Sequence, residues 1–347
     1  MVKKIYIYSI IPDMAVDSQF VIENPSLKTG RKGKFISCTI SDRTGKLSCR
    51  IWGPYGCGRD DIESVSRIIT EYEGHIFRIS GKADKFNDEL TVNINDGLRY
   101  LSEPVDEKKV TTSDYIYSPA DIDGNKTKIF ELIDSIKNDG LKELVHTVIK
   151  KSDGFFDKPA ARTKHHDYNG GLAEHSLEVA QIALSSCSSI CGVRLNRDIT
   201  LAGAILHDIG KCQSFKRKGL YFASLPAYSL IGHITPAMQT LSRYTSFVDD
   251  NTYQELLHII QSHHGEYGEI RPQTPEAWAV HFADNTSAML HEVSEDLKTA
   301  KKGEILWGKR SEGMVFCTES CEEEQPDEER KSPGAAKNQM TFTDCFD

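Results

Sequence analysis

Two patterns of hydrophobic and polar positions divide the chain. Between Gln19 and Asn95, short apolar runs alternate with polar residues and are separated by turn residues, which is typical of β-strands. Beyond about residue 119, apolar residues recur every three or four positions, as they do on one face of a helix. We therefore predict a multidomain protein with an N-terminal all-β region and a C-terminal all-α region.

The N-terminal pattern predicts a small barrel. Strands are predicted at residues 19–23, 33–40, 46–52, 75–82 and 89–95, with a turn at 41–45 and a helix at 60–72. Five strands with a helix before the fourth are the layout of the oligonucleotide/oligosaccharide-binding (OB) barrel. We assign this OB-fold domain to residues 1–103. The aperiodic segment 104–118 mixes charged residues with Ser, Thr and Pro and is predicted to be a linker.

The C-terminal pattern predicts a helical domain over residues 119–303. Helices are predicted at 125–137, 141–150, 171–189, 199–207, 229–248 and 251–264, and Pro275 opens the last one. Asp198 is the predicted N-cap of the helix at 199–207, which is nearly all apolar and should be central. Residues 304–347 hold five basic and eleven acidic residues and little to bury, so we predict an acidic, disordered tail.

Composition narrows the class of protein. No apolar run in the 347 residues approaches the roughly 18 positions of a membrane span, and the N-terminus lacks a signal-peptide pattern. The nine cysteines contain no CxxC pair and no regular spacing, which fits a reducing compartment. We expect a cytoplasmic protein with no membrane partner.

Charge is distributed unevenly along the chain. The net charge of −9 argues against a generally basic nucleic-acid coat, yet residues 28–50 carry seven basic residues against the single acid Asp42. OB barrels hold single strands by stacking bases on exposed aromatic rings beside basic side chains. The predicted nucleic-acid-binding residues are Lys34, Phe35, Arg50, Trp52, Lys85 and Phe86. The alternative is that the rings belong to the core and the lysines are merely solvated.

The helical region contains a series of metal-binding residue types. Imidazole and carboxylate together suit Mn, Fe, Co or Zn, and a carboxylate such as that of Asp208 can bridge two ions. A buried Asp208 without a cation or donor nearby would be costly, which argues against a purely structural role. Two ions would activate water and neutralise a phosphate, so the pattern predicts phosphoester hydrolysis. The candidate ligands are His175, His207, Asp208, His233, His263, His264 and Asp284.

Five sequence blocks carry a resemblance to a known group. HHDYNGGLAEHS, AILHDIGK, LIGHI, SHHG and HFADN occur in this order behind the predicted barrel. With them the chain resembles the HD-domain metal-dependent phosphohydrolases and, more narrowly, the YhaM-type 3′-to-5′ exoribonucleases. The resemblance implies two divalent ions, Mn first, with Co, Fe, Zn and Mg as alternatives. It implies His175, His207, Asp208 and Asp284 as core ligands, and His233 with His263 or His264 as a second metal site.

Three further residues receive roles beside these ligands. Lys211, with Asp208, is predicted to be catalytic and to hold a phosphate oxygen or support the leaving group; the alternative is a solvent-facing lysine at a helix end. His165 and His166 precede the Gly-Gly entry to the ligand helix and are predicted to contact phosphate. For these two histidines the alternative is a role in ordering the loop.

The resemblance also implies the substrate. It indicates a 3′-to-5′ exoribonuclease that hydrolyses single-stranded RNA with metal-activated water, the barrel holding the strand and feeding its 3′ end to the helical site. Single-stranded DNA as a substrate and a homo-oligomer both stay open. The alternatives are an HD-type nucleotide or cyclic-nucleotide phosphohydrolase and a non-catalytic nucleic-acid-binding protein. The barrel argues against the first, and the complete set of ligands argues against the second.

Overall fold

The computed structural model describes residues 3–31, 33–53, 59–86, 89–95, 101, 103–298 and 300–318. The side chains of residues 59–61 and of Phe86 lie outside this description. The chain forms two compact units, Met1–Glu292 and Val293–Asp347. Each is described by itself below.

Five strands of the first unit close into a barrel in the order β1-β2-β3-β5-β4. They are β1 (Ala15–Gly30), β2 (Gly33–Asp42), β3 (Gly45–Trp52), β4 (Ile76–Phe86) and β5 (Glu89–Ile94), with helix α1 (Arg59–Glu71) between β3 and β4. The strands and the helix therefore occur where the hydrophobic pattern predicts them. β3 and β5 run parallel, whereas the other pairs are antiparallel.

Period-two alternation fills the barrel. Ile36, Cys38 and Ile40 of β2 point inward and are almost fully buried. β1 is much longer than predicted because a bulge between Glu23 and Ser26 shifts its register with β2 and lets the strand continue to Gly30. The extension after Glu23 is mostly polar and exposed, so hydrophobic alternation alone could not reveal it.

The segment predicted as a linker packs on the barrel. It contains two short 3₁₀ turns, Glu107–Lys109 and Thr112–Tyr115. The Tyr115 side chain is buried, and its hydroxyl donates a hydrogen bond to Gln19 Oε1 at 2.7 Å. The backbone N–H of Val105 donates to Ile76 O at 2.7 Å. The aperiodic sequence therefore reflects irregular backbone that is held in place by these contacts.

Eight helices follow in the described part of the chain. They are α2 (Ile122–Asp134), α3 (Asp139–Lys151), α4 (Gly171–Ser189), α5 (Arg197–Leu206), α6 (Pro226–Leu230), α7 (Ile234–Leu241), α8 (Asp250–Ser262) and α9 (Pro275–Leu297). The predicted central helix is confirmed, because every residue from Ile199 to Leu206 of α5 is buried. Its N-cap, however, is Asn196, whose side chain accepts from two backbone N–H groups; the assignment to Asp198 was wrong.

Two other expectations for this region were wrong. The helix predicted at 229–248 is broken into α6, α7 and a 3₁₀ turn, because Gly232 adopts a φ of +65° between the first two. The all-α assignment overlooked a β-hairpin, β6 (Phe215–Lys218) with β7 (Tyr221–Ser224), just after the His-Asp pair. None of the helices in the described residues is both long enough and apolar enough to span a bilayer.

The second unit contains a two-stranded sheet, β8 (Ile305–Gly308) with β9 (Gly313–Phe316). Disorder was therefore the wrong prediction for this part of the tail. The apolar runs ILW and MVF flank a turn, and their strands satisfy each other's backbone hydrogen-bonding groups. The acidic average composition of residues 304–347 conceals these two runs. The acidic residues after 318 lie outside the described residues.

Candidate metal centre

Two pairs of candidate ligands stand at the ends of two helices. α5 ends at Leu206, so His207 and Asp208 follow its last residue directly. α8 ends at Ser262 and is followed by His263 and His264. The C-terminal end of a helix carries unpaired carbonyls and a partial negative charge, which favours a cation.

The first group of ligand atoms lies at α4, α5 and α9. The Nε2 atoms of His175 and His207 are 3.3 Å apart. Nε2 of His175 lies 3.0 Å from Asp284 Oδ1 and 3.7 Å from Asp208 Oδ2. Nε2 of His207 lies 3.4 Å from the same Asp208 oxygen. These four side chains are buried or nearly so and converge on one point.

The second group faces the other oxygen of Asp208. His233 stands immediately before α7, and its Nε2 lies 3.3 Å from Asp208 Oδ1 and 3.3 Å from His263 Nε2. The ring of His264 lies 4.2 Å from that of His263, and ligand atoms of all three histidines fall within 4.8 Å of one another. The structure therefore brings both His263 and His264 to this group, and Asp208 stands between the two groups.

One oxygen of Asp208 tests whether these groups fit a cation. Asp208 is 1% exposed, and within the described residues its Oδ1 has no hydrogen-bond partner. An ionised oxygen left alone in a protein interior is strongly unfavourable unless a cation or donor compensates it. The donor set of imidazole nitrogens and carboxylates around Oδ1 fits a divalent transition-metal ion.

The orientation of three imidazoles is fixed by their other ring nitrogen. Nδ1–H of His207 donates to Ala204 O at 2.7 Å, and Nδ1–H of His263 donates to Ile260 O at 2.6 Å. Nδ1 of His175 lies 2.9 Å from Ser287 Oγ, whose own proton is donated to Glu178 Oε2 at 2.6 Å. Each arrangement leaves the lone pair on Nε2, aimed at the shared site, as metal-binding histidines require.

The protonation states suit a cation. Burial lowers the pKa of both His175 and His233 to about 3 and lowers that of His263 well below its usual range. Burial opposes ionisation of Asp208, but Lys211 and His207 outweigh it and hold the pKa of the carboxyl well below its usual range. The pKa of His207 is raised, because Asp208 and Asp284 outweigh its burial. A bound cation would compete with that proton.

The comparisons with known proteins match this geometry. A family model described as the HD domain matches residues 172–289, a range that contains every predicted ligand. A second model, TraI_2, described for a helicase family, matches residues 125–193. The 3′-5′ exoribonuclease YhaM of Bacillus subtilis is 25% identical over 303 residues, covering 83% of this chain and 90% of that protein. The chain is therefore similar to the YhaM-type exoribonucleases over most of its length and contains an HD domain.

Other YhaM-type proteins are similarly related. The 3′-5′ exoribonuclease YhaM of Listeria innocua is 29% identical over 295 residues, covering 82% of this chain and 89% of that protein. The corresponding protein of a Geobacillus species is 27% identical over 304 residues, covering 84% and 87%. The similarity therefore extends over the barrel region as well as the HD domain.

Lys211 lies inside the site. Its Nζ is 2.6 Å from Asp208 Oδ2, and the residue is 8% exposed. A lysine pointing to solvent is thereby excluded. The predicted phosphate contact stays a prediction, whereas the contact on Asp208 gives Lys211 a second role, because it holds one carboxylate oxygen and leaves Oδ1 turned to His233.

The two histidines predicted to contact phosphate lie behind His175. His166 is completely buried, its ring is stacked at 4.2 Å on His291, and its Nε2 lies 3.2 Å from Glu178 Oε2. The enclosure of this ring favours the loop-ordering alternative for His166, and its phosphate contact stays a prediction. His165 is less buried, and its Nδ1 lies 3.4 Å from Glu292 Oε1.

The predicted nucleic-acid-binding residues lie on the barrel. Phe35 and Trp52 are paired across β2 and β3 and stack at 4.5 Å, both half-buried. Arg50 shares the Trp52 face of β3, Lys34 pairs with Glu63 of α1, and Lys85 is exposed near the end of β4. The two rings are outside the barrel core but are not fully exposed, and together they form one stacked pair on the outer face of the barrel. The predicted role of Phe86 rests on a side chain outside the described residues.

Sequence reasoning missed Ser287 and Glu178, which orient His175. A signal was present in the spacing. Ser287 is three residues after Asp284 on α9, and Glu178 is three residues after His175 on α4, so each shares a helix face with a predicted ligand.

Proposed function

We propose that this protein is a metal-dependent 3′-to-5′ exoribonuclease that shortens single-stranded RNA by hydrolysing its terminal phosphodiester. The observation that carries the proposal is the convergence of two imidazole groups on the two oxygens of Asp208. The names of the relatives, 3′-5′ exoribonuclease YhaM, supply the direction and the substrate.

Two divalent ions would be held in this site, with Mn as the first choice and Co, Fe, Zn or Mg as alternatives. The first ion would be held by His175, His207, Asp208 and Asp284, and the second by Asp208, His233, His263 and His264. When bound, such ions supply Lewis acidity, which activates water and neutralises phosphate charge.

The chain's own residues prepare the site for this chemistry. Lys211 holds Asp208 Oδ2 at 2.6 Å and compensates its charge in the interior. Three imidazoles donate a hydrogen bond through Nδ1–H, which leaves Nε2 free to bind an ion. The acceptors are Ala204 O for His207, Ile260 O for His263 and Ser287 Oγ for His175. The buried walls exclude bulk water, which strengthens every charge interaction at the scissile group.

The barrel would supply the RNA-binding module. We assign it to the OB class, on the strand order and the helix between β3 and β4, with the Phe35–Trp52 pair stacking bases beside Arg50 and Lys34. The OB-fold domain would span residues 1–103 and the HD domain 119–303. Single-stranded DNA as a second substrate and a homo-oligomer both stay open, and we assign the protein to the cytoplasm.

A time course with 5′-labelled single-stranded RNA and Mn²⁺ tests the proposal. The intact protein should produce a ladder that shortens from the 3′ end, and Asp208→Ala should leave the RNA intact. The isosteric Asp208→Asn should behave in the same way, with circular dichroism confirming that both variants are folded. Intact RNA with the unmodified protein, while a cyclic dinucleotide is hydrolysed, would replace the exonuclease by a small-molecule phosphohydrolase.

A further inference from the structure

The β6–β7 hairpin joins the metal centre to the barrel. It begins two residues after the 3₁₀ turn Ile209–Gln213, which itself follows Asp208. At its base, Leu225 N–H donates to Ser214 O at 2.8 Å, and Lys158 Nζ donates to Cys212 O at 2.7 Å. The base of the hairpin is therefore fixed to the segment that carries the shared carboxylate.

The tip of the hairpin contacts the turn before β4. Leu220 N–H donates to Gly74 O at 2.9 Å. A Cβ on Gly74 would lie 2.0 Å from Lys218 O, and one on Gly219 would lie 2.4 Å from Gly74 O. Both glycines have positive φ, +87° and +53°. The two backbones can approach this closely only because neither glycine has a side chain.

Side chains complete this junction. Leu220 packs against the buried cluster of Val21, Ile76 and Tyr115, which joins the barrel to the segment after it. Glu73, whose side chain is 10% exposed, is bound by both Lys218 Nζ and Tyr221 Oη. An apolar contact and a charged one hold the hairpin tip in one position.

A second contact lies near the first, on β3, the strand that carries Trp52. Lys46 of β3 donates to Asp167 O at 2.8 Å, in the loop that contains His165 and His166. Because side chains alternate along a strand, Lys46 lies on the same face of β3 as Arg50 and Trp52. Trp52 is six positions after Lys46, which is roughly 20 Å of extended strand.

We propose that the β6–β7 hairpin sets the length of the final RNA product. This inference rests on the exonuclease proposed above. With the hairpin docked, the aromatic pair stays at one separation from the metal centre, so an RNA too short to reach both is released. Leu220 of the hairpin and Glu73 of the turn before β4 are then positioning residues, which act on product length without touching the reacting phosphate.

The test opens the junction and leaves the site unchanged. The double variant Glu73→Ala/Leu220→Ser removes the charged and the apolar contact, and Lys216→Ala, an exposed position on the same hairpin, is the matched control. Hydrogen exchange of the peptides around residues 72–76 and 215–224 reports docking. Hydrolysis of bis(p-nitrophenyl) phosphate with Mn²⁺ reports the metal centre, and a sequencing gel of 5′-labelled RNA reports the lengths of the final products.

The double variant should exchange at least about tenfold faster at both peptides, keep diester hydrolysis within about twofold, and spread the final product over two or more additional lengths. Lys216→Ala should match the unmodified protein in all three assays. Faster exchange with an unchanged product length would overturn the proposal, as would unchanged exchange or a loss of diester hydrolysis. Failure of the unmodified protein to shorten RNA would instead refute the exonuclease itself, and the hydrogen-exchange result would still report whether the hairpin is docked.

Discussion

At the scale of single residues, the site depends on side chains that touch no substrate. Ser287 Oγ accepts a hydrogen bond from Nδ1–H of His175 and donates one to Glu178. It therefore fixes the tautomer of a buried candidate ligand. Without that acceptor, the His175 ring can rotate or carry its proton on Nε2, where a metal must bind. The serine therefore acts on metal affinity through the imidazole.

Ser287→Ala is expected to weaken Mn²⁺ binding about 10- to 100-fold, the usual effect of removing a group that orients a metal ligand. Titration of the metal-free protein against a competing chelator measures this affinity, and ¹⁵N spectra of the imidazole report the tautomer. Thr286→Ala on the exposed face of the same helix is the control and should leave both unchanged. Equal affinities for the two variants would contradict the orienting role.

The candidate ligands could be selected from the sequence, whereas the residues that support them could not. His207 with Asp208 and His263 with His264 stand directly after helices that have an apolar face, so their positions follow from helix periodicity. Serine and glutamate are ordinary residues on helix surfaces, and the Ser287–Glu178 bond joins residues 109 apart in the sequence. Only the packing of α4 against α9 makes that pair meaningful.

At the scale of elements, a glycine sets the separation of α5 and α8, the two helices that are followed by pairs of candidate ligands. A Cβ on Gly203 of α5 would lie 2.6 Å from Cγ2 and 3.2 Å from Cβ of Ile259 on α8. The glycine therefore allows α5 and α8 to approach closely, which brings His207 and His263 to one site. Its cost in helix propensity, about 1 kcal/mol, is offset by this contact.

Gly203→Ala should lower the free energy of unfolding by about 1–3 kcal/mol, because the added methyl group overpacks the helix contact. Urea denaturation of the metal-free protein measures the change. Adding Ile259→Val, which removes the Cδ1 atom 2.9 Å from the new methyl position, should recover part of the loss. An unchanged or higher stability of Gly203→Ala would show that the helices can separate freely.

The elements differ in how well the sequence reveals them. α4 begins and ends at the predicted residues, Gly171 and Ser189, because its apolar positions repeat over five turns after a Gly-Gly start. The β6–β7 hairpin was missed, since its strands have four residues each and its first strand, FKRK, is mostly charged. Its partner is a turn of the barrel, which local pattern cannot indicate.

At the scale of the whole molecule, RNA binding and metal chemistry are assigned to different parts of the first unit. Trp52→Ala removes one ring of the stacked pair, and loss of a base-stacking ring costs about 1–3 kcal/mol, or roughly 5- to 150-fold in affinity. Fluorescence anisotropy of labelled RNA in EDTA should show this loss. Hydrolysis of bis(p-nitrophenyl) phosphate should stay unchanged.

Tyr8→Ala is the matched control for Trp52→Ala. Tyr8 is an exposed aromatic residue of the barrel, and its backbone N–H donates to Thr44 in the turn between β2 and β3, at the opposite end of that strand pair. Its removal should leave RNA affinity within about twofold. An equal loss for both variants would mean that the Phe35–Trp52 pair has no special role.

The stability of the metal-free protein should depend on pH. His175 and His233 have a pKa of about 3 when folded, against an ordinary value of about 6.5, so between these values the unfolded chain binds protons that the folded chain does not. Stability should therefore fall as the pH is lowered from 7 to 5, although the raised pKa of His207 works in the opposite direction. The urea midpoint in EDTA measures the trend, and a midpoint that rises toward pH 5 would contradict it.

The close approach of Gly74 and Gly219 has a consequence for how such a chain can be rebuilt. The barrel cannot be transferred as an independent module, because the turn at Gly74 fits only a hairpin that has glycine at the point of contact, here Gly219. A chimera that took the barrel from one relative and the helices from another would need both glycines. A side chain at either position would clash with the opposite backbone and change the angle between the two parts. Any exchange therefore has to carry residues 72–76 and 215–224 together.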